Sequence, residues 1–338
     1  MKSNGIIVIL SYPDTVVRPA QWEFSSKFWP KIGIGSKDAI QAGHAALLLI
    51  KKNSSEVNYY DFGRYITSYG NGRVRSKETD PELKIPIKAT FKNNKLDNIN
   101  QLLLWLDKNP EITHGDGRLI ASINNAIDFD KAQKYIEALI NQKEIPYGAF
   151  LKNGTNCARF VTQTIINSCT KKQIILKLKS SYILTPSPIG NAIKGKTEKD
   201  IYEVKNQKVT LYKNRSILKE YKLFFSRKPN AGINSIGCEL PDTTIFNIND
   251  GTWLGGIGSG AWFKIEEQLS ENNYKVSRYS YKGEKDFEDI FYTESNAFNL
   301  KEKYRFIYPT NCKELFITQN NQTYILKKRQ SNLNKYQN

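Results

Sequence analysis

The chain reads as an α+β protein, with helices packed on an antiparallel sheet in its first half and a β-rich second half. Three observations predict this. Continuous apolar runs of strand length occur at residues 5–12 and 43–52. Segments with helical apolar spacing follow between residues 97 and 168. Beyond residue 200, aromatic and β-branched residues alternate with polar ones in short stretches. At 338 residues the chain is long for one core. The expected division is a first domain over 1–180, a linker over 181–200, a β-rich accessory domain over 201–330 and a basic tail over 331–338.

"GIIVILSY" (5–12) is apolar throughout and stops at the turn signal "PDT". "GHAALLLIKK" (43–52) is a second buried strand, and after the "NSSE" turn "VNYYDFGRYI" (57–66) returns beside it as a hairpin. "GNGRVRS" (70–76) reads as a loop, and the alternating "LKIPIKATF" (83–91) as a fourth strand. Over 97–109, Ile99, Leu102, Leu103 and Leu106 form one helical face that ends at Pro110. Over 128–142, Ala132, Tyr135, Ile136, Leu139 and Ile140 form another, with Asp128 or Asp130 as cap. A third helix opens in "GTNCARFV" (154–161), where Asn156 or Thr155 can cap and Cys157, Val161 and Ile165 recur every four residues. The stretch 181–200 mixes prolines, glycines and charges without periodicity. From 201 onward "KVTLYK", "GAWFKIEE", "YKVSRYSYK", "YRFIYP", "LFITQ" and "TYILKK" predict strands of a sandwich or barrel. The glycine-rich "GTWLGGIGSG" (251–260) lacks the P-loop pattern and reads as a turn between strands.

The net charge is +17, but lysine dominates and the charge is spread along the chain, so specific nucleic-acid binding is not expected. Attraction to anionic surfaces, membranes or cell-wall polymers among them, does follow. No apolar run approaches the ~20 residues of a membrane span, and "IIVIL" is too short for a secretory core. The chain as written therefore reads as cytoplasmic, with a removed signal or a signal-independent export route left open. Cys157, Cys169, Cys238 and Cys312 show no CxxC spacing, so no metal site and no cofactor is implied. Cys238 and Cys312 could pair in an exported protein.

Two histidines, His44 and His114, limit any imidazole chemistry to two candidates. A helix N-terminus favours a thiolate and offers N–H groups to an oxyanion, so Cys157 is either a nucleophile or a buried thiol. His44, at the start of a strand, suits a general base, and Asp61 or Tyr60 on the neighbouring strand suits the group that orients it. For Asp61 the competing role is a salt bridge to Arg64 or another cation. His114, in "THGDGRL", is a turn residue or an auxiliary contact to substrate. Arg73 and Arg75 are loop charges or hold a carboxylate or phosphate.

"GHAALLL", "YYDFGRY" and "NCARFV", in that order, resemble the circularly permuted papain-like hydrolases, relatives of NlpC-type cell-wall peptidases that include lecithin:retinol acyltransferase-like enzymes. In that group the histidine precedes the cysteine, as His44 precedes Cys157 here. The strings are also similar to a bacterial family of unassigned function with "YYDFGRY" and "GRVR" segments. The resemblance covers roughly residues 5–170. It implies a cysteine hydrolase or acyltransferase acting on a peptide, cell-wall or lipid amide or ester, with Cys157 as nucleophile, His44 as base, Asp61 as orienting group and Asn156 beside the nucleophile. The insert between the Asp61 strand and the Cys157 helix is expected to cover or reshape such a site. The competing expectations are a binding or scaffold protein with the same shell, and a basic surface binder.

Overall fold

The computed structural model describes residues 2–36, 39–213, 248–295 and 297–329. The chain is an α+β protein that divides into two units. Among the described residues the first takes in 2–64, 70–77 and 82–213, and the second 65–69, 78–81 and 248–329.

The first unit is built on the strands β1 (Gly5–Tyr12), β2 (His44–Lys51), β3 (Val57–Gly63), β4 (Asn71–Arg75), β5 (Phe91–Lys92), β6 (Lys95–Leu96), β7 (Leu119–Ile127), β8 (Ile145–Pro146), β9 (Ile201–Lys205) and β10 (Lys208–Leu211). Its helices are α1 (Phe24–Phe28), α2 (Ile99–Lys108), α3 (Pro110–Thr113), α4 (Phe129–Asn141), α5 (Cys157–Ser168), α6 (Lys172–Lys179) and α7 (Pro188–Lys194). Eight of the strands form one antiparallel sheet in the order β10-β9-β7-β1-β2-β3-β4-β8. Both faces are covered. Ile7, Ile9, Leu47 and Leu49 pack under α4, α5, α6 and α7, while Ile6, Val8, Leu10 and Leu48 pack under α2. A strand buried on both faces gains nothing from polar alternation, which explains the unbroken apolar runs of β1 and β2.

Three expectations need correction, for 70–76, 83–91 and 181–200, and one strand, 119–127, was not read from the sequence. Residues 70–76, read as a loop, contain β4, which pairs Arg75 with Asp61 and Arg73 with Gly63. Residues 83–91, read as a strand, alternate in burial but join no ladder of their length. Pro86 has no N–H, and the segment is fastened at single points, an Asn58–Lys84 bridge and the Ala89 N–H to Ser55 O bond. Residues 119–127 form β7 beside β1, a strand disguised by Ser122, Asn124 and Asn125. Those polar groups are occupied: Ser122 donates to Ala192 O (2.7 Å) and Asn124 to Gly195 O (2.6 Å). Finally, 181–200 is no linker. Ser187 caps α7, and buried Asn191 donates to Ala158 O (2.8 Å) and accepts from Thr162 (2.6 Å), locking α7 to α5. β9 and β10 then extend the first sheet, so this unit runs on to residue 213 rather than ending at 180.

The second unit holds β11 (Thr252–Gly255), β12 (Gly260–Ser270), β13 (Asn273–Tyr279), β14 (Lys285–Tyr292), β15 (Arg305–Ile307), β16 (Glu314–Gln319) and β17 (Gln322–Lys328). They form one antiparallel sheet in the order β11-β12-β13-β14-β17-β16-β15 around a core of Phe263, Tyr274, Phe291, Phe306 and Leu326. The sheet curls, because its end strands are joined. Phe306 N donates to Thr252 Oγ1 (3.2 Å), and the Tyr308 hydroxyl donates to Gly255 O (2.6 Å). The glycine-rich stretch is a hairpin turn pairing Gly255 with Gly260, and a Cβ at Gly260 would meet the Trp253 ring at 2.3 Å. Cys238 and the tail 331–338 lie outside the described residues.

Candidate active site

The register of β2, β3 and β4 assembles the first half of the site. Ala46 faces Asp61, and Asp61 faces Arg75. His44, two residues before Ala46, therefore lies diagonal to Asp61, within reach of a ring and a carboxylate. His44 Nε2 is 3.3 Å from Asp61 Oδ2. Arg75 grips the same carboxylate with both arms, Nε to Oδ1 at 2.9 Å and Nη2 to Oδ2 at 2.6 Å, and its Nη2 also donates to Ile112 O (3.1 Å). The Tyr59 hydroxyl donates to Oδ2 at 3.1 Å. Asp61 is thus a fully buried carboxylate with its oxygens engaged, the condition under which a buried charge is tolerated. Burial alone would raise its pKa. The Arg75 charge and the bonds from His44 and Arg75 override this and hold it well below the usual carboxylate range.

His44 opens β2 opposite Tyr12, whose ring stacks on it at 6.2 Å between centroids. Gly115 supports that stack from behind, since a Cβ there would meet the Tyr12 ring at 2.3 Å. Burial would lower the His44 pKa, but the hydrogen bond to Asp61 and the interaction with Cys157 beside it raise it to about 9. An ionised Asp61 only accepts, so His44 donates from Nε2, and Nδ1 is the ring nitrogen left for Cys157.

Cys157 comes from the opposite face of the sheet. It is the first residue of α5, which lies on β2 and β3 through Phe160, Val161 and Ile165. Asn156 is extended (φ −139°, ψ 179°), and its side chain accepts from Arg159 N at 2.8 Å, the geometry of an N-cap. The preceding loop is clamped by Gly148 N to Thr155 O (2.9 Å), Thr155 N to Pro146 O (3.0 Å) and Arg159 to Leu151 O (2.8 Å). Asp61 and α5 therefore sit on opposite faces, and His44, at the very end of its strand, reaches both. His44 and Cys157 keep 6% and 8% of their surface in contact with solvent.

Beside the cysteine stands Tyr147. Its ring stacks on Phe62 (6.0 Å, 8° between planes), Arg64 lies 4.5 Å over it, and Trp22 Nε1 donates to its carbonyl (2.7 Å). Burial drives its pKa up to about 12; Arg64 opposes this, and Cys157 and Glu23 add to it. Tyr147 is accordingly a neutral O–H donor in the electrostatic reach of Cys157.

The structure brings Cys157, His44, Asp61, Asn156 and Arg75 together. The cation on Asp61 is Arg75, so Asp61 combines the ion pair and the histidine contact that the sequence offered as alternatives. Arg64 instead turns to Tyr147, Trp22 and the Arg18 carbonyl. Tyr60, opposite Leu47, points into the apolar cluster under α5 and does not take the place of Asp61. Arg73 is buried on β4, two residues from Arg75. Both arginines lie in a strand rather than a loop, and Arg75 is spent on a protein carboxylate. His114 is the C-cap of α3 with φ 52°, the turn role. Its neighbours matter more: Thr113 O accepts from Tyr59 (3.5 Å) and Gly115 backs Tyr12. The insert therefore braces the Asp61 side. Cys169 is the buried C-cap of α5. Tyr12, Tyr59, Tyr147 and Trp22 were not suggested by the sequence. Among the described residues no three His, Cys, Asp or Glu side chains converge to hold a metal.

Residues 7–174 match the family model described as Type VI secretion system effector TseH-like. Residues 251–329 match that of the DUF6695 C-terminal domain. Among solved structures, the crystal structure of a Type VI secretion system effector, TseH, is similar at 16% identity with a TM-score of 0.39, over 63% of this chain and 100% of that one. No curated protein matches the chain.

Proposed function

We propose that the first unit is a thiol hydrolase or acyltransferase of the permuted papain-like type, with Cys157 as nucleophile, His44 as general base and acid, and Asp61 as the group that fixes the His44 tautomer. The observation that carries this is one ring, His44, held between a buried carboxylate and a cysteine at a capped helix N-terminus. Cys157 gives its proton to His44 Nδ1, and the sulfur attacks the carbonyl carbon of an amide or ester. The oxyanion is met by first-turn N–H groups of α5, with the Tyr147 hydroxyl as a further donor. The C–N or C–O bond breaks as His44 returns the proton to the leaving group, leaving a thioester on Cys157. Water, deprotonated by His44, releases the acid and restores the thiol. An alcohol or amine in place of water gives acyl transfer.

The TseH-like match over 7–174 supports reading the chain as a secreted effector, acting after delivery on a peptide, cell-wall or lipid amide or ester. The test is a panel of such substrates with mass detection of an acyl adduct on Cys157. Wild type is expected to accumulate the adduct or its product, and Cys157→Ala and His44→Ala to lose both. Equal turnover in the two variants and wild type refutes the assignment.

A further inference from the structure

Between Glu144 and Glu198 the chain contains no Asp or Glu, and eight Lys and Arg. Within this stretch α6 turns two different faces outward and inward. Ile174 and Leu178 are buried against the first unit's core. On the opposite side Lys172, Leu176, Lys179 and Ile183 follow at four-, three- and four-residue steps, a single helical stripe. Leu176 is 66% exposed, Ile183 86% and Leu184 75%. Exposed aliphatics are ordinary when single and call for a partner when clustered.

The turn carrying Ile183 and Leu184 is braced. Gln163 donates to the Tyr182 hydroxyl (2.7 Å), Lys194 to Ser181 Oγ (2.9 Å), and Arg159 lies 5.7 Å over the Tyr182 ring. Its exposed side chains are therefore held out on a fixed platform. Lysine stems can lie along an apolar layer while their ammonium groups reach outward. A partner that fits must be negatively charged at its surface and apolar just beneath. Nucleic acid has the charge, but its bases stack on aromatic rings and guanidinium planes rather than on leucine and isoleucine. A second copy of this chain would set lysine against lysine across a two-fold contact.

We propose that Leu176, Ile183 and Leu184, with Lys172, Lys177 and Lys179 around them, form a docking surface for an anionic lipid bilayer. Thr185 Oγ1 donates to Ala149 O (3.2 Å), which ties this turn to the loop that precedes Cys157. The proposal stands apart from the chemistry at Cys157.

The test is co-sedimentation of the full chain with vesicles of phosphatidylcholine alone or mixed with phosphatidylglycerol, at physiological salt. Wild type is expected to bind the mixed vesicles and to leave the neutral ones in solution. The triple variant Leu176→Ser/Ile183→Ser/Leu184→Ser keeps the net charge and is expected to lose affinity by about 10-fold or more. Lys172→Gln/Lys177→Gln/Lys179→Gln should weaken binding and flatten its salt dependence. An Ile183→Trp reporter should blue-shift on the mixed vesicles. Unchanged binding by the triple serine variant would mean that diffuse positive charge alone attracts the protein, and overturns the proposal. Absence of wild-type binding to mixed vesicles overturns it as well. Circular dichroism and the rate of Cys157 alkylation should match wild type in every variant, which separates this outcome from damage to the fold or to the active site.

Discussion

Replacing Arg75 with methionine tests how the site is held together. The side chain is 2% exposed and Asp61 is fully buried, so solvent offers neither group a substitute partner. Methionine fills much of the volume but removes two charge-assisted bonds, at 2.9 and 2.6 Å, and strands a carboxylate. Breaking a buried pair on one side costs ~3–5 kcal/mol, enough to lower the melting temperature of the first unit by roughly 10 °C. The pH dependence has a definite sign. In wild type the Asp61 pKa is depressed, so its contribution is present above about pH 4 and is lost as pH falls through the lower, folded value. Without Arg75 the burial effect wins, and Asp61 titrates above the usual carboxylate range. His44, Tyr59 and Tyr12 also face it. Of these only His44 can supply positive charge, and its one contact to Oδ2, at 3.3 Å, does not replace the two shorter bonds that Arg75 gives up. The stability gap between wild type and Arg75→Met should therefore narrow as pH is lowered from about 7 toward 4, because protonating Asp61 relieves the stranded charge. Thermal melts across that range measure the gap. The double variant Asp61→Asn/Arg75→Met should recover part of the loss at neutral pH. A loss below about 1 kcal/mol, or a gap that does not change with pH, would refute the reasoning.

Asn156→Ala removes the cap on α5 and should cost ~1 kcal/mol, read by denaturant unfolding, with the fold retained. Tyr147→Phe keeps the stack on Phe62 and should leave stability within ~0.5 kcal/mol. Its acyl-transfer turnover should fall by about 10-fold or more if the hydroxyl meets the oxyanion. Gly115→Ala drives a methyl group into the Tyr12 ring behind His44. It should destabilise by ~1–3 kcal/mol, and nuclear magnetic resonance of the His44 ring should show it displaced. Because His44 is raised to about 9, its stabilising contribution is complete below about pH 6.5 and is lost as pH rises toward 9. A wild-type melt compared with His44→Gln should show the difference shrinking over that interval.

Much of this site could be read in the sequence because its backbone signals are local. Cys157 follows a cap residue and begins an apolar helical stripe, and His44 opens an aliphatic strand where a core would hold another Ile or Leu. The hairpin 43–66 put Asp61 near His44, though only the register shows that Asp61, and not Tyr60, shares its face. What stayed hidden depended on tertiary pairing. Arg73 and Arg75 made β4 look solvated, because a buried arginine is rare and its partner sits on another strand. Ser122 and Asn124 hid β7 in the same way, since their bonds go to Ala192 in α7 and to Gly195 at its C-cap, 70 or more residues further on. The helix α7 itself begins with Ser187-Pro188, a start signal lost among neighbouring prolines and glycines. Tyr147 and Trp22 carry no motif, and tertiary packing brings the Trp22 indole to the Tyr147 carbonyl, 125 residues further on.

The central claim is that His44 and Cys157 act as one coupled pair. It is tested most directly by the rate of Cys157 alkylation by iodoacetamide as a function of pH, read by mass spectrometry of the peptide containing residue 157, in wild type and His44→Ala. The account predicts that removing His44 slows alkylation at neutral pH by about 10-fold or more and changes the shape of the profile. Superimposable profiles would contradict it and leave Cys157 as a buried thiol at a helix start.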